Sequence, residues 1–234
     1  MVNFIEKDRY DFEDLRKLVA FLRSENGCPW DSVQTHASIR RNLLEEAYEA
    51  CEGIDLDDAA LMQEEFGDVL LQAVFHVSIE EDAGRFTMED VVDGVCKKLI
   101  FRHPHLFAGV KTEDWDWEEM KQQEKGETTQ TEVLNAVARS LPALIRAEKL
   151  NSKSAKAGVA WSNAEEALEY AAQQLKNGGK DAIGNALFAI TGACKLQEID
   201  PEQALHDACE SFIARFAEEE AKGAKHTAIR QFMP

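Results

Sequence analysis

Apolar residues recur along this chain at helical spacing, and strand-type alternation is nearly absent. Leu15, Leu18, Val19 and Leu22 mark a first amphipathic helix, which stops near Ser24-Glu25-Asn26-Gly27, and Pro29 holds the next stretch extended. A second helix is expected from about Ala37 to Glu52, ending at Gly53. A third follows Asp55-Leu56-Asp57 and runs to about Ala83, with Gly84-Arg85 as its turn. Thr87-Met88-Glu89-Asp90 has the form of a capping box, opening a fourth helix to about Phe101 ahead of Pro104. A short helix is expected from Trp115 to Lys125.

The pattern then breaks. Gly126-Glu127-Thr128-Thr129-Gln130-Thr131 is polar and lacks large apolar residues, which marks a linker. Beyond it, helices are expected at about Leu141–Ser154, Ala164–Asn177, Lys180–Leu196 and Pro201–Lys222. The pattern predicts an all-α protein of two helical-bundle units: residues 1–125, a linker over 126–139, and residues 140–234.

Acids outnumber bases 44 to 26 over 234 residues, a formal charge of −18. Such a surface repels nucleic acid and anionic membranes, and repels a nucleoside triphosphate unless cations intervene. No apolar run approaches the roughly 20 residues of a membrane span, and the opening residues lack the layout of a signal peptide. Cys28, Cys51, Cys96, Cys194 and Cys209 form no CxxC pair, so they fit small buried side chains in a reducing cytoplasm.

Carboxylates on two helices change this picture. In the second helix, Leu44, Ala47, Tyr48 and Cys51 form an apolar stripe, while Glu46 and Glu49 lie one turn apart well round from it, flanked by Glu45 and Glu52. The third helix, with Phe66, Val69, Leu70, Leu71, Ala73, Val74 and Val77, is apolar nearly all round and reads as buried. Its exception is a narrow sector holding Glu65, Asp68 and Gln72. Burying carboxylates side by side costs several kcal/mol each unless something compensates. Protonation, pairing with Lys or Arg, or a divalent cation would each do so. Among metals, an all-oxygen donor set favours Mg²⁺ or Mn²⁺ over Zn²⁺.

Glu45-Glu46-x-x-Glu49 followed by Glu65-x-x-Asp68 resembles the signature of the MazG family of nucleoside triphosphate pyrophosphohydrolases. The resemblance extends to Gly27-Cys28-Pro29-Trp30-Asp31 with Gln34-Thr35, to Gly84-Arg85-Phe86, and to Arg102-His103-Pro104-His105-Leu106-Phe107. It is dense over residues 10–125 and thin beyond. It implies an all-α, homodimeric enzyme that hydrolyses a nucleoside triphosphate to the monophosphate and pyrophosphate with Mg²⁺. It also implies that Glu46, Glu49, Glu65 and Asp68 are metal ligands, that Lys98 and Arg102 hold phosphates, and that Trp117 and Lys121 contact the nucleotide. Lys98 and Arg102 stand one helical turn apart, so both can reach one phosphate chain. Glu45 is the candidate for orienting the attacking water, and Trp30 could pack a base or ribose or anchor its own loop. Two rivals stand beside this reading: hydrolysis of another nucleotide such as dUTP, and a helical module that senses a nucleotide or binds a partner without turnover.

The chain also resembles itself. Gly67-Asp68-Val69-Leu70-Leu71 matches Gly184-Asn185-Ala186-Leu187-Phe188. In that alignment the four acids become Gln174, Asn177, Ala182 and Asn185, and Lys98 becomes Ser211. Neutral amides bind Mg²⁺ poorly. The second unit is therefore expected to be a degenerate copy that packs, dimerises or regulates.

Overall fold

The computed structural model describes residues 6–109, 111 and 115–222, and the first five residues of the stretch read for signal-peptide layout lie outside the described residues. The protein is all-α, with no strand among the described residues. It divides after Trp115 into two compact units.

The first unit holds α1 (Phe12–Arg23), a 3₁₀ turn (Asp31–Val33), α2 (His36–Asp55), α3 (Ala59–Asp82), α4 (Met88–Arg102) and α5 (Pro104–Phe107). The helix starts follow local chemistry. Asp11, Thr35 and Thr87 each cap a helix with a reciprocal capping box, and the Asp58 side chain accepts from the backbone N–H groups of Ala60 and Leu61. Helix α2 runs through Gly53 rather than ending there. A Cβ at Gly53 would stand 3.1 Å from Met62 N and 3.2 Å from its Cγ, so this glycine lets α2 and α3 approach closely. The reversal is carried instead by Asp57 at φ 52°.

All four long helices feed one core. Val19 comes from α1, Ile39 from α2, Val74, Phe75 and Val77 from α3, and Met88 from α4. Arg16 of α1 pairs with Glu81 of α3 and Glu89 of α4, and Arg23 donates to Ser78 and Asp82 of α3. The expectation of a third helix buried along its whole length needs correction. The C-terminal half of α3 is core, but Phe66 is 50% and Leu70 43% exposed in the half that bears the carboxylates. Periodicity cannot tell a helix buried in its own core from one with an uncovered apolar face.

The second unit holds α6 (Trp117–Lys125), α7 (Gln130–Asn135), α8 (Ala143–Lys156), α9 (Ala164–Asn177), α10 (Lys180–Leu196) and α11 (Pro201–Ala221). The polar segment expected to be a linker carries α7, opened by a Thr129–Glu132 capping box and anchored by buried Val133 and Val137. Helices α9 and α10 pack through small residues, Ala171 against Ala186 and Ala189, with Trp161 and Ile190 closing the cluster. Asn151 of α8 accepts from the Trp161 indole N–H (3.1 Å) and donates to the Phe188 carbonyl and the Thr191 hydroxyl. These bonds satisfy the buried amide of Asn151.

Candidate metal centre

Helix α2 turns Glu46 and Glu49 toward α3, and α3 returns Glu65 and Asp68. One carboxylate oxygen from each of Glu46, Glu49 and Glu65 lies within 4.8 Å of the others. Glu65 is 9% exposed, and its Oε2 is buried without a hydrogen-bond partner. Burial, then the charge of Asp68, then Glu49, push the Glu46 carboxyl above its ordinary value. Burial, then the charges of Glu49, Glu64 and Asp68, push Glu65 the same way. No lysine or arginine is among the leading influences on either group. Asp68 is half-buried and stands outside the three-oxygen group, near enough for its charge to act on both.

Of the three ways to make close carboxylates tolerable, pairing with a base is the one this geometry disfavours. What remains is retained protons or a cation. A hard divalent ion fits, because the donors are carboxylate oxygens alone and one of them is buried with no partner.

The other sequence candidates are placed as follows. Glu45 is exposed, Arg41 donates to it at 2.6 Å, and it is not one of the three clustered carboxylates. Lys98 is half-buried on α4, and Arg102 at its C-terminus is 8% exposed. The Trp115 indole N–H donates to the Arg102 carbonyl at 2.8 Å, and the Trp115 ring packs on His103 and His105. That fixes the helix end bearing Arg102 and gives the His-Pro-His segment a packing role. Trp30 is 57% exposed in the loop before the 3₁₀ turn. Trp117 and Lys121 lie on α6, in the second unit.

Sequence reasoning missed a polar clamp that holds α2 to α3 at the end remote from the α2–α3 turn. His36, the first residue of α2, stacks on His76 with ring centroids 5.0 Å apart and Nδ1 atoms 2.7 Å apart. His36 also pairs with Glu80, and Glu80 receives Arg85 from the following turn, with Nη2 at 2.6 Å. The Arg85 hydrogen bonds, followed by His36, hold the Glu80 carboxyl at about 2. Burial and the neighbouring His36 depress His76. The available signal was His76 and Glu80 at i, i+4 within an apolar run.

A model of the MazG nucleotide pyrophosphohydrolase domain matches residues 34–107, from just before α2 to the end of α5. A Thermotoga maritima protein named nucleoside triphosphate pyrophosphohydrolase/pyrophosphatase MazG is 36% identical over 95% of this chain and 91% of its own length. The chain belongs to the MazG family. An Escherichia coli K12 protein named nucleoside triphosphate pyrophosphohydrolase is 34% identical over 88% of this chain and 86% of its own. A Mycolicibacterium smegmatis protein of the same name is 40% identical over 56% of this chain and 42% of its own. The matched MazG domain contains all four carboxylates, Lys98, Arg102 and the His36–His76–Glu80–Arg85 clamp, and leaves out Trp30, Trp117 and Lys121.

Proposed function

We propose that this MazG-family chain hydrolyses nucleoside triphosphates to the monophosphate and pyrophosphate, with Mg²⁺ held by Glu46, Glu49, Glu65 and Asp68. The observation that carries the reading is the buried, unpartnered Oε2 of Glu65 within the three-carboxylate group. A bound divalent ion there would neutralise phosphate charge and polarise phosphoryl oxygens. The chain's own residues supply the rest. Lys98 and Arg102, one turn apart on α4, bind phosphate oxygens, with Arg102 held in place by its packed helix end. Trp30 offers an exposed ring for the base or ribose. The His36–Glu80–Arg85 clamp fixes the relative placement of α2 and α3, and so the spacing of the carboxylates they carry. Glu45 on α2, beside Arg41, is the residue proposed to orient the attacking water, and Trp117 and Lys121 on α6 are the proposed nucleotide contacts.

The exposed pairs Leu44–Tyr48 on α2 and Phe66–Leu70 on α3 support the homodimer that the resemblance implies, since a second copy would cover them. No helix among the described residues is long and apolar enough to cross a membrane. The five cysteines are unpaired, which supports a cytoplasmic setting, but the expectation that they are buried needs correction: Cys51, Cys96 and Cys209 are exposed, and Cys28 and Cys194 half-buried.

The test is product analysis over a panel of ribo- and deoxyribonucleoside triphosphates, including dUTP, with Mg²⁺ and with EDTA. The expected result is monophosphate and pyrophosphate in equal amounts with Mg²⁺ and none with EDTA. Release of orthophosphate and a diphosphate, or no turnover on any substrate, would contradict the reading.

A further inference from the structure

Besides the core they share through Ile39, Val74 and Phe75, α2 and α3 are joined at both ends. At the turn between them, Gly53 lets the backbones approach. At the other end, the His36 ring lies on the His76 ring with planes 7° apart and the two Nδ1 atoms 2.7 Å from each other. Two nitrogens at that distance share one proton, because a second would set donor against donor. The His36 Nε2 pairs with the Glu80 carboxylate, which the Arg85 hydrogen bonds and then His36 hold at about 2. Facing an ionised acceptor, that nitrogen carries a proton of its own.

These two protons, one between the rings and one toward Glu80, make up the neutral pair. A third has one place to go. It is His76 Nε2, which is buried and has no hydrogen-bond partner. Any positive charge on the stacked pair therefore leaves a buried N–H unsatisfied, a cost that the neutral pair avoids. Burial, then the charge of His36, hold the His76 ring below its ordinary value, in keeping with this count. Charged groups on the neighbouring elements are engaged elsewhere. Arg23 of α1 sits over the Phe75 ring and bonds Ser78 and Asp82, while Arg16 takes up Glu81 and Glu89. Arg40, one turn along α2, is exposed.

We infer that His36 and His76 form an acid-released latch between α2 and α3, closed while the pair is neutral and opened by one proton. The half-exposed His36 can swing into water once its bond to His76 is lost, which frees the first turn of α2. The carboxylates of α2 and α3 lie between the latch and the Gly53 contact, so the opened form holds them less firmly. A weaker grip on Mg²⁺ in acid follows, and this consequence alone rests on the function proposed above.

The test follows the full chain in EDTA from pH 8 to pH 5.5, as wild type and as His76→Phe, by NMR of the histidine rings and by thermal melting. Phenylalanine keeps a stacked plane but neither shares a proton nor buries a nitrogen. In wild type, two ring signals are expected to move together with a midpoint below 6.5, and this joint titration is expected to vanish in the variant. The folded pair binds fewer protons than the unfolded chain in that window, so wild type should lose stability relative to His76→Phe as pH falls below 6.5. Melting with added Mg²⁺ reads the coupling, since protonation of the carboxylates is common to both chains. The half-saturating Mg²⁺ concentration should rise at least about fivefold more in wild type than in the variant between pH 8 and pH 5.5. If circular dichroism shows His76→Phe unfolded, His36→Phe combined with His76→Phe, which stacks two carbon rings, takes its place. Ring signals that titrate independently at the ordinary value, or a melting difference that does not change with pH, would overturn the latch whatever the metal does. A latch that titrates as expected with equal Mg²⁺ shifts in both chains would overturn its coupling to the carboxylates, and no Mg²⁺ effect in either chain would count against the metal reading instead.

Discussion

Glu65→Gln is expected to stop turnover while making the metal-free protein more stable. Both effects follow from one placement. The Glu65 carboxyl is buried beside Glu46 and Glu49, and its ionisation is opposed first by burial and then by neighbouring charges. Its pKa in the folded chain lies above the unfolded value near 4.5. The folded state thus binds more protons than the unfolded state in that window, and stability falls as pH rises through it. Glutamine keeps the shape, removes the charge and can donate to a neighbouring carboxylate. In EDTA the variant should melt above wild type at pH 8, and the gap should close toward pH 4, where both chains are neutral at this position. With Mg²⁺ the order reverses. Wild type gains stability from the ion, and the variant, one ligand short, gains little. Losing several kcal/mol of charge stabilisation in the transition state should cut the rate by at least about a hundredfold. Thermal melts at both pH values with and without Mg²⁺, alongside product release, check this. A variant with wild-type rate, or one less stable than wild type in EDTA at pH 8, would contradict it.

Gly27→Ala is expected to produce the largest loss of stability of any single methyl addition in the first unit. Its φ is not positive, so the residue is required for space rather than for backbone freedom. A Cβ there would stand 2.2 Å from the Phe21 carbonyl oxygen and 2.4 Å from that of Leu22, both in the last turn of α1. These are backbone atoms and cannot swing aside. Leu22 O also accepts from Cys28 N–H at 2.8 Å, the bond that folds the chain back over the helix end. Relief of the clash therefore breaks the turn leading to Trp30. The expected cost is about 1–3 kcal/mol, in the range of overpacked cores. Denaturant melts would show it as a lower midpoint at unchanged slope. An unchanged midpoint would show that the turn has room the structure denies.

Much of this was legible in the sequence, for identifiable reasons. The capping box at Thr87 placed the start of α4, and α9 and α10 begin and end where the pattern puts them. The carboxylate spacing brought Glu46, Glu49 and Glu65 to one place because i, i+3 pairs share a helix face. Three features were not legible. Gly53 looked like a stop because a glycine's need for space and its need for positive φ are indistinguishable in sequence. The exposure of Phe66 and Leu70 depends on what covers α3, which hydrophobic period does not encode. The His36–His76 contact joins residues forty positions apart, so it has no local signature.

The carboxylates of α2 and α3 are proposed to hold a divalent ion. Anomalous scattering from crystals of the full chain grown with Mn²⁺ tests it most directly. A peak is expected among Glu46, Glu49 and Glu65, with Asp68 beside it, and is expected to be lost in Glu65→Gln. A protein saturated with Mn²⁺ that shows no peak there, or shows its peak elsewhere, would contradict it.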